Sequence, residues 1–241
     1  SLLPNISISN APSILEANTP STMTFTVSLG AVSTGTITVD YATAAATGTA
    51  TSGVDYTPVT GTLSFAPGET SKTISVTILP DALDEASETV FINLSNNSAN
   101  SNLLDAQGQG TIVDTDATPS LSIANVAIAE GNGGTSNLTF TATLSAASGQ
   151  IVTVGVASAD GTAIAASGLG QNDYEALAAT LTFPAGTTTR TFNVAINGDA
   201  VLEPTETFTV TLSGAVNATI ATATATGTIT NDDAQPTITI L

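Results

Sequence analysis

The stretch "TISVTILPDALDEASETVFINL", residues 73–94, contains two segments of alternating apolar residues joined by an acidic turn. In the first segment Ile74, Val76 and Ile78 occupy every second position, which is the period of a β-strand with one buried face. Apolar residues alternate again after Glu88. The stretch therefore predicts two strands joined by a loop that is rich in carboxylates.

The same period of two residues recurs along the whole chain. It is seen in "TMTFTVSL" (22–29) and in "TFTVTL" (207–212), where Thr and Ser alternate with apolar residues. Thr and Val favour the pleated backbone of a strand, and no stretch keeps the 3.6-residue period of an amphipathic helix. We therefore expect an all-β protein with essentially no long helix.

The chain is an internal duplication. "DYTPVTGTLSF" from Asp55 returns as "DYEALAATLTF" from Asp173, and other matching segments recur at a spacing of roughly 116 residues. Small changes in this spacing are typical of loop insertions between equivalent strands. We predict one domain over residues 1–116 and a second over residues 117–233.

A third repeat begins where the sequence ends. "PNISI" (4–8), "PSLSI" (119–123) and "PTITI" (236–240) occupy the same place in successive repeats. Residues 234–241 are therefore predicted to be the first strand of a truncated third repeat.

Each repeat contains about seven predicted strands, separated by turns rich in Gly, Pro, Asn and Ser. Seven strands in about 115 residues is the size of an immunoglobulin-like sandwich, so the predicted fold is two tandem seven-stranded immunoglobulin-like β-sandwiches. The chain lacks the Cys and Trp of antibody domains, so the prediction concerns the architecture only. In the first repeat the strands are expected near residues 5–9, 21–29, 35–42, 60–65, 71–79, 88–95 and 106–113.

The charge of the chain limits its partners. It carries 20 acidic side chains against two basic ones, a formal net charge of −18, and no Cys or His. A polyanion gains nothing from nucleic acid or an anionic lipid surface, so we expect no nucleic-acid partner and no membrane insertion. Cations are the natural complement of such a chain.

The acids lie where strands of an antiparallel sandwich begin or end, so they can meet at one pole of each domain. Two unit charges about 4 Å apart repel by roughly 1 kcal/mol in water and by about 4 kcal/mol at an effective dielectric constant of 20. Ca²⁺, which takes six to eight oxygen ligands, explains this crowding better than solubility does. The candidate ligands are Glu16, Asp55, Asp81, Glu85, Glu88, Asp114 and Asp116 in the first repeat, and Glu130, Asp173, Asp199, Glu203, Glu206, Asp232 and Asp233 in the second.

Structural roles are alternatives for several of these acids. Glu88 and Glu206 precede a strand and could instead cap a turn. The acids at 114–116 and 232–233 could belong to a solvated linker. Asp-Tyr pairs can form an Asx turn, and for Tyr56 and Tyr174 we expect packing against the sandwich rather than ligand contact.

Residues 52–96 and 170–214 resemble the Calx-beta domain. The shared pattern is DY, G-T-L-x-F-x-x-G, D-x-x-x-E-x-x-E-T and a final T-I-x-[DN]-x-D, with the signature Asp160-Gly161-Thr162-Ala163, weakened to Thr47-Gly48-Thr49-Ala50 in the first repeat. This family is known from regulatory domains of sodium–calcium exchangers, from integrin beta-4 and from very long bacterial surface proteins. The resemblance implies calcium ions at one pole, held by the acids named above.

The sequence departs from the strongest calcium sensors of that family at two places. They carry consecutive aspartates where this chain has Pro80-Asp81 and Gly198-Asp199, and three aspartates where it has residues 114–116 and 231–233. The resemblance therefore implies one or two ions per domain, or weaker binding.

The predicted function is structural rather than catalytic. The chain has no His or Cys, one Lys and one Arg, so the usual bases and nucleophile partners of enzymes are missing. We expect a calcium-binding, adhesive repeat stiffened by Ca²⁺ at the domain poles, within a large repetitive extracellular or cell-surface protein. Its expected partners are calcium ions, neighbouring repeats of the same chain, and a cell-surface protein or glycan.

Two other functions are compatible with the sequence. One is a protein- or glycan-binding module in which calcium is incidental or absent, although the sequence shows no aromatic or apolar patch for such a face. The other is strand exchange, in which "PTITI" (236–240) adds to the sheet edge of a neighbouring molecule.

Overall fold

The computed structural model describes residues 3–165 and 172–238. The chain divides into two compact units, Ser1–Asp116 and Ala117–Leu241. Within the described residues there is no helix long and apolar enough to cross a membrane. The all-β fold predicted from the sequence is confirmed.

The first unit consists of two sheets, one of four strands in the order β6-β3-β1-β8 and one of five strands in the order β2-β9-β7-β4-β5. Its strands are β1 (Asn5–Ile8), β2 (Ile14–Leu15), β3 (Ser21–Leu29), β4 (Ile37–Thr43), β5 (Thr60–Phe65), β6 (Ser71–Ile78), β7 (Glu88–Ser95), β8 (Asn102–Asp105) and β9 (Gln107–Val113).

The second unit repeats this arrangement, with sheets in the orders β15-β12-β10-β17 and β11-β18-β16-β13-β14. Its strands are β10 (Ser120–Ile123), β11 (Val126–Ala129), β12 (Gly134–Leu144), β13 (Val152–Ala159), β14 (Ala178–Phe183), β15 (Thr189–Gly198), β16 (Glu206–Val216), β17 (Thr219–Thr222) and β18 (Thr224–Thr230).

All seven strands predicted in the first repeat are present, and their ends agree to within two residues. The prediction missed β2 and β8, which are only two and four residues long. Both lie at sheet edges, where β2 pairs in parallel with β9 and β8 pairs in parallel with β1. Strands this short show no measurable alternation, so the sequence carries little signal for them.

Alternation along each strand builds the two cores. On β3, Met23, Phe25 and Val27 are buried, and the Thr residues between them are exposed. The buried apolar side chains of each unit form one cluster between its two sheets. Tyr56 and Tyr174 belong to these clusters, each 1% exposed, so the predicted packing role of both tyrosines is confirmed.

An aromatic group fills the core of the second unit next to the acidic pole. Phe208 stacks on Tyr174 with ring centroids 4.3 Å apart and meets Phe140 edge-on at 6.1 Å. Gly227 leaves room for this ring, because a Cβ atom there would lie 2.4 Å from Phe208. Tyr174 follows Asp173 directly, so this packing also fixes the backbone next to a candidate ligand.

The first unit fills the equivalent space from the opposite sheet. A Cβ atom on Gly110 would lie 2.0 Å from the Met23 sulfur. Val90, which occupies the place of Phe208, is buried but smaller. The two units therefore share a fold but differ in which side chain covers this glycine.

The prediction of a third repeat is not tested by the structure. Residues 234–238 contain no strand. Residues 239–241 lie outside the described residues.

Replacing Phe208 by Ala is expected to destabilise the second unit by about 3–5 kcal/mol, because it removes a fully buried ring and two aromatic contacts. Hydrogen exchange of amides in each unit at increasing urea concentrations measures the change in the free energy of unfolding. The matched control is Val216→Ala on the same strand, which removes a 54% exposed side chain and should change stability by less than about 0.5 kcal/mol. Equal losses in both variants would contradict this account of the core.

Candidate metal centre

The ends of several strands and loops bring the acids together. In the first unit Glu16 follows β2, Glu88 is the first residue of β7, and Asp114 follows β9. Among residues 3–165 and 172–238, carboxylates form three groups whose members offer oxygen atoms within 4.8 Å of one another. The groups are Glu16, Asp114 and Asp116; Asp55, Glu85 and Glu88; and Asp173, Glu203 and Glu206.

The first group is held by the short parallel pairing of β2 with β9. The Glu16 N–H donates to the Val113 carbonyl at 2.8 Å, and the Thr115 hydroxyl donates to the Glu16 carbonyl. These bonds place Glu16, only 7% exposed, beside the chain segment that carries Asp114 and Asp116. The sequence carries little signal for this contact, because it depends on β2, which has only two residues.

The second group is organised by the loop before β5. The Asp55 carboxylate accepts a hydrogen bond from the Thr51 N–H, and the Asp55 carbonyl accepts one from the Leu79 N–H at 2.9 Å. Hydrogen bonds therefore hold both the side chain and the backbone carbonyl of Asp55, which is 8% exposed. Glu85 and Glu88 reach it from the loop that precedes β7.

The third group is the counterpart of the second. The Ile164 N–H donates to Asp173 Oδ2 at 2.7 Å, as Thr51 does to Asp55. The Glu203 N–H donates to the Asn231 side-chain oxygen at 3.1 Å. With Glu206 at the start of β16, this arrangement repeats in the second unit what Asp55, Glu85 and Glu88 form in the first.

Burial and crowding of these carboxyl groups raise their affinity for protons. Burial, a hydrogen bond with Asp55 and the charges of neighbouring acids raise the pKa of Glu88 to about 8. Burial and the charge of Asp81 raise the pKa of Glu85 to about 7, and burial and Asp173 raise that of Glu206 to about 7. A hydrogen bond between two carboxyl groups requires a proton, which here takes the place of a cation.

The residues present fit a hard divalent cation. All donors are oxygen atoms, which Ca²⁺ prefers, and no His or Cys is available to favour a softer metal. In the second unit Asp233 Oδ2 is buried without a hydrogen-bond partner in the structure. A buried carboxylate oxygen left unpaired is costly, and coordination of a cation would satisfy it.

Five predicted ligands lie near these groups without belonging to them. After burial, the charge of Asp81 is the next cause of the raised pKa of both Glu16 and Glu85, so Asp81 is within electrostatic reach of both groups of the first unit. The pKa of Glu130 is raised by burial and then by Asp199, Glu203 and Asp233. Asp232 accepts a hydrogen bond from the Gly131 N–H at 3.0 Å. The five residues are Asp81, Glu130, Asp199, Asp232 and Asp233.

Asp84 lies among the acids of the first unit's pole but was not predicted as a ligand. Asp84 is 6% exposed and its charge contributes to the raised pKa of Asp116. Its counterpart in the second repeat is Leu202, which is exposed. Comparison of the repeats therefore passed over Asp84, although its position three residues after Asp81 marked it as part of the acidic loop.

The Calx-beta domain model matches the chain twice, over residues 7–132 and 114–233. The chain belongs to the Calx-beta family. The resemblance inferred from the sequence is thereby confirmed, and the two units are a tandem pair of Calx-beta domains.

Two of the solved structures that are similar to the chain cover most of its length. One is described as CBD12 from CALX1.2; it has 19% sequence identity and a TM-score of 0.42, and the match covers 88% of this chain and 80% of that chain. The other is described as calcium binding domain CBD12 of CALX1.1; it has 19% sequence identity and a TM-score of 0.41, and the match covers 86% of this chain and 80% of that chain. The apo form of the Calx CBD1 domain has 22% identity, covers 48% of this chain and 100% of its own, and has a TM-score of 0.41. A search of curated proteins finds no match.

The two Calx-beta domains are not equivalent at the pole. Asn231 occupies the place of Asp114, and it is engaged with Glu203 and, through its side-chain amide, with the Asp233 carbonyl. Within the described residues the first domain therefore has two carboxylate groups, and the second has one.

The metal-free protein is expected to lose stability as pH rises from about 5 to about 8. The folded-state pKa values of Glu85, Glu88 and Glu206, at about 7, 8 and 7, lie above the ordinary value of 4.5, so the folded state binds more protons than the unfolded state. Their contribution to stability is complete below pH 4.5 and disappears as pH passes through 7 to 8.

Thermal unfolding with a chelator at pH 5, 6, 7 and 8 tests this pH dependence. Calcium added at pH 8 should restore the lost stability, because it replaces the protons. Glu88→Gln combined with Glu206→Gln is the matched variant, and it should flatten the metal-free profile. A melting temperature that rises between pH 5 and 8 without calcium would contradict the assignment.

Proposed function

We propose that this chain is a non-enzymatic calcium-binding module, in which each Calx-beta domain binds Ca²⁺ at its acidic pole. The observation that carries the proposal is the recurrence of one carboxylate group in both domains, Asp55 with Glu85 and Glu88, and Asp173 with Glu203 and Glu206. Elevated pKa values at these groups indicate a site that lacks positive charge. One similar solved structure is itself described as a calcium binding domain.

Calcium would act here as a stabilising ligand. It would supply the positive charge that the crowded carboxylates lack, and the residues of each group would hold it through oxygen atoms. Extracellular modules work with dissociation constants of about 10⁻⁴ to 10⁻³ M. At a free concentration about 100 times the dissociation constant, one site adds roughly 2.7 kcal/mol to folded stability.

The proposed setting is a repetitive extracellular or cell-surface protein in which such modules form an adhesive stalk. Two features support it. The sequence is an internal tandem duplication, and tandem modules are the units from which long repeat arrays are built. Weak calcium sites would be saturated only where calcium is plentiful, which also favours the extracellular space.

The proposal extends to the segment that connects the two domains. Asp116 is the last residue of the first unit, and Ala117 begins the second. An ion held by Glu16, Asp114 and Asp116 would fix the backbone that leaves the first domain. We therefore propose that calcium reduces the freedom of the connection and stiffens the pair.

Calorimetric titration of the full chain with calcium is expected to show two sites in the first domain and one in the second. Glu85→Ala should remove one site from the first domain, and Glu203→Ala should remove the site of the second. Asp40→Ala is the control, because Asp40 is a half-buried carboxylate that accepts hydrogen bonds from Thr62 and Asn96 and belongs to no candidate group. Calcium binding that is unchanged in both Glu variants would refute the proposed function.

Small-angle scattering tests the effect on the connection. The maximum dimension and the distribution of distances within the molecule should change when a chelator replaces calcium, since the backbone after Asp114 is then no longer held by the ion. The variant with Asp114→Asn and Asp116→Asn should scatter alike in both conditions while the second domain still binds calcium. Identical scattering of the wild-type protein with and without calcium would exclude stiffening.

A further inference from the structure

More residues lead to Asp173 in the sequence than to its counterpart Asp55 in the first domain. Three residues separate Thr51 from Asp55, whereas eight separate Ile164 from Asp173. Both pairs are nevertheless joined by the same hydrogen bond, from the backbone N–H of the first residue to the carboxylate of the second. Closing a longer loop costs more conformational entropy, so the second domain needs a further interaction to hold Asp173 in place.

Asp160 supplies an interaction of this kind. Its Oδ1 atom accepts a hydrogen bond from the Ala165 N–H at 2.9 Å and another from the Tyr174 hydroxyl at 2.7 Å. Ala165 directly follows Ile164, and Tyr174 directly follows Asp173. One carboxylate oxygen therefore joins the two ends of the loop, just outside the pair that positions the candidate ligand. We call this arrangement of Asp160, Ala165 and Tyr174 the Asp160 clamp.

The clamp is fixed to the strand that carries another candidate ligand. The Ala163 N–H donates to the Thr207 carbonyl at 2.9 Å, and the Thr207 N–H donates to the Thr162 hydroxyl at 2.8 Å. Gly161 permits this close approach, since a Cβ atom there would lie 2.4 Å from the Thr207 carbonyl oxygen. Thr207 directly follows Glu206, the first residue of β16. These hydrogen bonds therefore hold the segment that carries the clamp against the start of β16.

The first domain has the short loop and lacks the clamp. Thr47 occupies the place of Asp160, and its hydroxyl donates to the nearby Ala44 carbonyl at 3.1 Å. The glycine that follows Thr47 keeps its close backbone contact, because Gly48 lies against the Thr89 carbonyl as Gly161 lies against the Thr207 carbonyl. Thus the acid at position 160 accompanies the longer loop, whereas the rest of the motif is common to both domains.

We propose that Asp160 is a positioning residue of the second domain's calcium site, where it compensates for the longer loop by holding Asp173 in the geometry that binds the ion. This rests on the proposed function of the acidic pole. Asp160 belongs to none of the carboxylate groups, and it acts through Ala165 and Tyr174. Loss of such an outer interaction typically weakens metal binding by about ten- to hundredfold.

The first test compares Asp160→Ala with Asp160→Asn in the full chain by calcium calorimetry. Asp160→Ala should weaken the second-domain site by about tenfold or more and leave the first-domain sites unchanged. Asp160→Asn should bind close to wild type, because its amide oxygen still accepts both hydrogen bonds. Equal weakening in the two variants would mean that Asp160 acts only through its charge, and would overturn the proposal, as would an unchanged affinity in Asp160→Ala.

The second test removes the need for the clamp. Residues 165–172 are replaced by the Ser-Gly-Val sequence of residues 52–54, which gives the second domain the loop length of the first. In this background Asp160→Ala should no longer change calcium affinity. A loss as large as that in the long-loop protein would show that loop length is irrelevant and would contradict the inference.

A calcium-free measurement separates this inference from the proposed function. Hydrogen exchange at the Ile164 and Ala165 amides should be faster in Asp160→Ala than in the wild type, and close to wild type in Asp160→Asn. If the wild-type chain binds no calcium but these amides respond as expected, the proposed function fails and the clamp stands as a structural feature. If calcium binds but the amides exchange at wild-type rates in Asp160→Ala, the clamp fails alone.

Discussion

Repulsion among carboxylates collected at the end of each sandwich is the constraint on which the rest of this molecule depends. Each β-sandwich could be stable without such a cluster, since its core lies between the sheets and contains no acid. The pole instead stores an unfavourable interaction, since burial and then the neighbouring acids raise the pKa values of Glu85, Glu88 and Glu206. A ligand that neutralises it gains the free energy of relieving repulsion as well as that of coordination. A domain of ordinary architecture would in this way become responsive to a cation, as the proposed function requires.

Backbone hydrogen bonds hold the acids in place against this repulsion. Asp55 and Asp173 each accept a bond from a backbone N–H across their own loop, and Glu16 is fixed by the pairing of β2 with β9. These three acids are therefore held in place by the backbone rather than by the other carboxylates. A site arranged in this way needs little rearrangement when an ion binds, which preserves affinity that would otherwise be spent on ordering.

Much of this could be predicted from the sequence, because alternation and repetition are properties of the chain itself. Strands such as β3 and β16 carry a strict period of two, and the duplicated acids mark equivalent loop ends. Which acids group together was harder to predict, since this depends on short strands and loops. Glu16 meets Asp114 only through β2, which has two residues. Asp84 and Asp160 were not predicted as functional residues because neither acid recurs in the other repeat.

The glycine pair Gly110 and Gly227 has a consequence for how such repeats can evolve. In one domain Met23 covers the glycine, and in the other Phe208 does so. A recombinant repeat that inherited both Met23 and Phe208 would direct two side chains into one space, whereas one that inherited neither would leave a hole. Exchange of segments between the two domains should therefore preserve a well-packed core only where each large residue keeps its own partners.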